Sequence, residues 1–167
     1  MIDQKMQDAL NEQIKQEFYS SYLYVALSAH FQGQGLPGFA SWFRVQAQEE
    51  LAHTMRVFDF IGDRGGCIEF YAVEAPPTKW DSPISAFEAV LEHEQQVTRR
   101  INALMELCFE LRDHASRSFL QWFVDEQVEE EGSVQDILAK LRLVGHDGQG
   151  LFMVDQELAT RTYTPPA

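Results

Sequence analysis

Cysteine is nearly absent. Cys67 and Cys108 are the only two in 167 residues, they lie far apart, and they form no Cys-x-x-Cys pair. That argues against a thiolate metal site, and two unpaired thiols fit a reducing compartment. Basic residues are also scarce, with 13 Lys and Arg against 26 Asp and Glu, a formal net charge of −13. Such a balance opposes non-specific binding to nucleic acid or to an anionic membrane surface. No apolar run approaches the ~18 residues that a membrane span needs. The opening residues Met1-Ile2-Asp3-Gln4-Lys5 lack the apolar stretch of a secretory signal, so a cytoplasmic location is expected. No segment sustains the apolar-polar alternation of a half-buried strand.

What remains is 45% apolar and 23% charged, the composition of a soluble globular protein, and the length suits a single domain over 1–167. Breakers divide the chain at Gly33 to Gly38, Gly62 to Pro83, weakly at Arg112 to His114, and at Gly145 to Gly150. Between them the spacing predicts helices over about 4–32, 37–62, 83–111 and 115–144, each with apolar residues at helical period. Pro37 and Pro83 suit first-turn positions, and Ser82 suits an N-cap. A short fifth helix is expected at about 148–159, carrying Leu151, Phe152, Val154 and Leu158. On a lone subunit these side chains either mark an interface or dock on their own bundle.

Four helices of about equal length, each ~40 Å long, suggest an all-α four-helix bundle. Short turns make the first pair and the last pair antiparallel. The linker from Gly62 to Ser82 is long enough, at ~3.3 Å per residue, to cross the whole bundle, so the second and third helices run parallel.

Each helix places a glutamate in its apolar stripe. Glu17 lies in line with Leu10, Ile14, Ser21 and Tyr24; Glu50 with Phe39, Phe43, Val57 and Ile61. Glu94 falls in line with Phe87, Val90, Val97 and Ile101; Glu126 and Glu130 with Phe119, Phe123, Ile137 and Leu141. Glu17, Glu50, Glu94 and Glu130 sit near their helix midpoints and would meet at one level. Buried carboxylates repel unless cations lie between them, and no inward Lys or Arg is expected there. Two divalent ions would balance four carboxylates. Glu50-Leu51-Ala52-His53 puts a carboxylate and an imidazole on one face, a donor mixture suited to iron, manganese or zinc. Glu49, Glu126, Glu129 and Glu130 could hold a third ion. Tyr24 shares the face of Glu17, either as packing or as a redox group, and Trp122 is expected to pack at the edge.

These features resemble the bacterial non-haem ferritins, most specifically in Glu17-Phe18-Tyr19-Ser20-Ser21-Tyr22-Leu23-Tyr24, in Glu49-Glu50-Leu51-Ala52-His53 and in Phe119 to Glu130. The resemblance implies a ferritin-like bundle with one long crossover and a di-iron ferroxidase centre inside each subunit. Glu17, Glu50 and His53 would serve the first iron, with Glu50 bridging, and Glu94 and Glu130 the second. Gln127 would stand beside the centre, Tyr24 next to it, and Glu49, Glu126, Glu129 and Glu130 at a third iron site. It also implies a hollow homo-oligomeric cage of twenty-four subunits that oxidises Fe(II) with dioxygen and stores the ferric mineral. Gln127 and Glu130 replace the second Glu-x-x-His of bacterioferritin, and Leu51 stands at its haem-methionine position, so no haem is expected. Two other readings stay open: a different di-iron carboxylate oxidase or peroxidase, and a passive cation store.

Overall fold

All regular structure in the computed structural model, which describes residues 1–165, is helical: α1 (Gln4–Gly33), α2 (Pro37–Asp63), α3 (Pro83–Leu111), α4 (His114–Val144) and α5 (Gly148–Leu158). Residues 166 and 167 of the expected 1–167 domain lie outside the described residues. The boundaries follow local chemistry. Pro37 and Pro83 occupy first-turn positions, where a missing N–H costs nothing. Ser82 and Ser85 form a reciprocal cap: Ser85 N donates to Ser82 Oγ at 3.1 Å, and Ser82 N donates to Ser85 Oγ at 2.9 Å. Arg112 closes α3 in the left-handed conformation at φ 54°.

The linker after α2 runs the length of α1. Near the start of α1, Cys67 N donates to Gln7 Oε1 (2.8 Å), and Asn11 Nδ2 donates to the Cys67 carbonyl (3.1 Å). At the other end Trp80 lies edge-on to His30, with ring centroids 5.3 Å apart. The chain therefore enters α3 beside the C-terminus of α1. This places α3 antiparallel to α1 and parallel to α2, the one-crossover bundle that the linker length predicts.

The apolar core has two parts. One holds Leu23, Tyr24, Phe31, Phe39, Phe43, Phe87, Val90, Val134 and Ile137. The other holds Leu10, Ile14, Val57, Val97, Ile101, Leu120 and Phe123. On every helix of the bundle the residues between these two sets are the expected acids. The polar layer thus sits across the middle, sealed by apolar packing at both ends.

Helix α5 docks on its own bundle and keeps a second face outward. Val154 and Leu158 are buried in the first cluster, whereas Phe152 and Met153 are exposed. Its anchor is polar. Leu36 gives α2 no side-chain cap, and buried Asp155 supplies one, its Oδ1 accepting from Gly38 N at 2.8 Å and Phe39 N at 3.1 Å. Position 38 must be glycine for this approach, since a Cβ there would stand 1.7 Å from the Asp155 carbonyl oxygen. Gly38→Ala should therefore force α5 off its seat and cost about 2 kcal/mol or more, with Asp155→Ala costing about 1–2 kcal/mol through loss of the cap. Thermal unfolding of both variants checks this, and an unchanged midpoint in Gly38→Ala would overturn it.

Candidate metal centre

Glu17, Glu50, His53, Glu94, Gln127 and Glu130 are all buried. Helical spacing delivers them: Glu50 and His53 are one turn apart on α2, and Gln127 and Glu130 one turn apart on α4. His53 lies among three acids. Its Nδ1 is 3.4 Å from Glu50 Oε2 and 3.9 Å from Glu17 Oε2, and its Nε2 is 3.9 Å from Glu126 Oε1. Two donor groups have their ligand atoms within 4.8 Å of one another: Glu17 with Glu50 and His53, and His53 with Glu126 and Glu130. Glu94 belongs to neither group. It faces Glu130 electrostatically, and Tyr24 Oη donates a short hydrogen bond to its Oε1.

Amides flank the carboxylates. Gln13 Nε2 donates to Glu17 Oε1 at 2.7 Å, Gln46 Nε2 to Glu130 Oε2 at 2.5 Å, and Gln127 Nε2 to Glu94 Oε2 at 3.2 Å. Glu17 Oε2 is buried with no hydrogen-bond partner among the described residues. A buried, unpartnered carboxylate oxygen aimed at an imidazole and a second carboxylate suits a cation.

Electrostatics agree. Burial pushes Glu17 up to about 8, and the charge of Glu50 adds to the shift. Burial and the charge of Glu130 likewise push Glu50 up to about 8. Burial raises Glu130 to about 7 against the opposing pull of His53. Burial and Glu130 hold Glu94 well above the usual carboxylate range. Without a cation these acids therefore retain protons near neutral pH. His93, beside Glu94, is drawn down to about 4 by burial, with a smaller effect from Arg100; its Nε2 pairs with Ser20 Oγ at 2.8 Å. It is a neutral ring edge-on to Tyr24 at 6.1 Å, helping to hold the phenol in place.

Of the four outer acids, Glu126 and Glu130 come together with His53, and Glu49 and Glu129 lie outside both donor groups. Glu126 is half-buried and Glu129 is exposed. The buried line of α4 runs through Leu120, Phe123, Gln127 and Glu130, leaving Phe119 and Glu126 at its edge. Trp122 packs at that edge, 5.2 Å from the His53 ring, with the Arg56 guanidinium over its ring at 4.3 Å. Glu49 has a cationic neighbour that helix spacing did not suggest: Arg161 Nη2 donates to Glu49 Oε2 at 2.5 Å and its Nη1 to Gln46 Oε1 at 2.6 Å. Gln13 and Gln46 were within reach of sequence reasoning, since each lies one turn before a core glutamate. Arg161 was not, because it follows the last helix.

The ferritin-like domain profile matches residues 7–144. The chain is 40% identical to the bacterial non-heme ferritin of Bacteroides fragilis over 161 residues, covering 96% of this chain and all of that protein. It is 38% identical to the bacterial non-heme ferritin of Staphylococcus aureus, covering 98% of each. Among solved structures, the open pore ferritin of the hyperthermophilic archaeon Archaeoglobus fulgidus superposes with a TM-score of 0.96 at 52% identity, covering 97% of this chain and all of that one. A closed form of the same archaeal protein, made by site-directed mutagenesis, gives 0.97 at 52% identity, covering 98% of this chain and all of that one.

Proposed function

The chain belongs to the ferritin family, and from that premise we propose that it takes up Fe(II), oxidises it with dioxygen at the buried acid cluster and stores the ferric product. The observation that carries this reading is the mid-bundle layer of four buried glutamates and one histidine, including an orphaned carboxylate oxygen on Glu17. Iron is here the substrate. Glu17, Glu50 and His53 hold the first ion, Glu94 and Glu130 the second, with Glu50 between them. Glu50 is suited to that place because its charge is felt by Glu17 on one side and it feels Glu130 on the other.

The residues divide the work. The carboxylates lose their protons as the ions enter and balance the charge. Two bound Fe(II) ions each give one electron to dioxygen, which leaves as hydrogen peroxide after taking up two protons; ferric ions then hydrolyse to oxyhydroxide. Tyr24 and Gln127 fix Glu94 through hydrogen bonds to its two oxygens. The apolar clusters on either side keep bulk water from the layer. The chain acts as one ferritin-like domain within a homo-oligomeric cage of twenty-four subunits in the cytoplasm, without haem, nucleic acid or membrane partners. Exposed Tyr22, Val25, Leu51 and Met55 on α1 and α2, with Phe152 and Met153 on α5, provide apolar surface for such contacts. No helix among the described residues is long and apolar enough to cross a membrane.

The test is to load the metal-free protein anaerobically with two Fe(II) per subunit, mix with oxygen, and follow absorbance on the millisecond scale. A phase much faster than oxidation in buffer supports catalysis. Its absence would leave a passive cation store.

A further inference from the structure

The guanidinium of Arg161 reaches the outer acids from outside the bundle. It follows α5, whose seat is fixed by Asp155 on Gly38 and Phe39. The guanidinium lies over Trp42, 4.6 Å from the ring centroid, and its two terminal nitrogens divide between Glu49 and Gln46. Gln46 passes the contact inward to Glu130 Oε2 at 2.5 Å. Glu49 is largely buried for a charged group, and Arg161 offsets part of what burial does to it; Glu130 also feels that positive charge. Glu49 and Glu130 are two of the four acids expected to bind a third ion, and Glu130 with Glu126 and His53 has ligand spacing. A third divalent ion and this guanidinium would compete for the carboxylate of Glu49, and like charges so close repel strongly at intermediate dielectric. A tethered competitor also acts at an effective concentration on the order of millimolar, whatever the level of free ion.

We propose that Arg161 is a built-in counter-cation of the outer acids: its guanidinium holds Glu49, one of the four acids expected at the third ion, and so weakens a third ion relative to the first two. Arg161 is thus a positioning residue that sets third-ion affinity, not a catalytic one. This rests on the proposed function only in that the acid layer must bind divalent cations. A planar fork is required for the double contact, since a lysine ammonium is a point charge on a flexible stem.

Calorimetric titration of the assembled metal-free protein with Zn2+, which undergoes no redox chemistry, tests this directly. Wild type should bind two ions tightly and a third weakly. Arg161→Ala should bind the third about tenfold more tightly, and Arg161→Lys should fall between. In a Glu49→Gln background Arg161→Ala should give no such gain, whereas mere loosening of the tail would act in both backgrounds. Circular dichroism establishes that each variant is folded, and Arg161→Lys retains the test should alanine unfold the tail. Third-ion affinity that is unchanged or weaker in Arg161→Ala, with two tight ions in both proteins, would overturn the role of Arg161 alone. Failure of both proteins to bind two ions would overturn the proposed function and this inference with it.

Discussion

Glu50→Gln should lower the rate of rapid Fe(II) oxidation by about a hundredfold or more, and His53→Ala by a similar factor, with assembly intact. Glu50 is the most connected acid of the layer. It lies 3.4 Å from His53 Nδ1, feels the charge of Glu130, and contributes to the upward shift of Glu17. Glutamine keeps its volume and can still bond its neighbours, but it cannot serve as an anionic bridge between two ions. Stability should move the other way. Removing one buried, desolvated carboxyl relieves repulsion in the metal-free protein, so Glu50→Gln should unfold at a higher temperature than wild type at pH 8. Stopped-flow kinetics, size-exclusion chromatography and calorimetry together read these effects. Unchanged oxidation in both variants would remove Glu50 and His53 from the site.

The acid layer was legible because a glutamate within an apolar stripe conflicts with its surroundings, and the conflict recurs at the same depth on four helices. The crossover was legible because a linker as long as Gly62 to Ser82 has few other uses in a bundle. The rotation of α4 was less so. A turn of 100° per residue leaves two adjacent lines nearly equivalent, and in the fold the line of Leu120 and Gln127 is buried while Phe119 and Glu126 lie at its edge. Arg161 and Asp155 could not be read at all. Each acts on a residue more than a hundred positions away, across a docking that depends on the missing side chain at Gly38. Local periodicity describes a helix's own face, not what a distant segment lays upon it.

Metal-free protein should be most stable near pH 5 and lose several kcal/mol toward about pH 8.5, with the loss abolished by divalent cation. Glu17 and Glu50 titrate at about 8 and Glu130 at about 7 in the folded chain, against an ordinary value of 4.5. Between those limits the folded state binds more protons than the unfolded state. Stability therefore falls as pH rises through the folded values, the reverse of a salt-bridged carboxylate. Cation entry must expel the same protons. Calorimetry of Zn2+ binding in buffers of different ionisation enthalpy should show roughly three to four protons released per subunit near pH 6.5, and markedly fewer near pH 9. Thermal unfolding across the same range should show a falling midpoint without metal and a nearly level one with it. A level profile in the metal-free protein would mean that the four acids are solvated, and would remove the electrostatic case for a cation site. The same burial that makes the empty layer costly at pH 8 makes a divalent ion its most effective remedy, so instability of the metal-free state and affinity for metal share one physical origin.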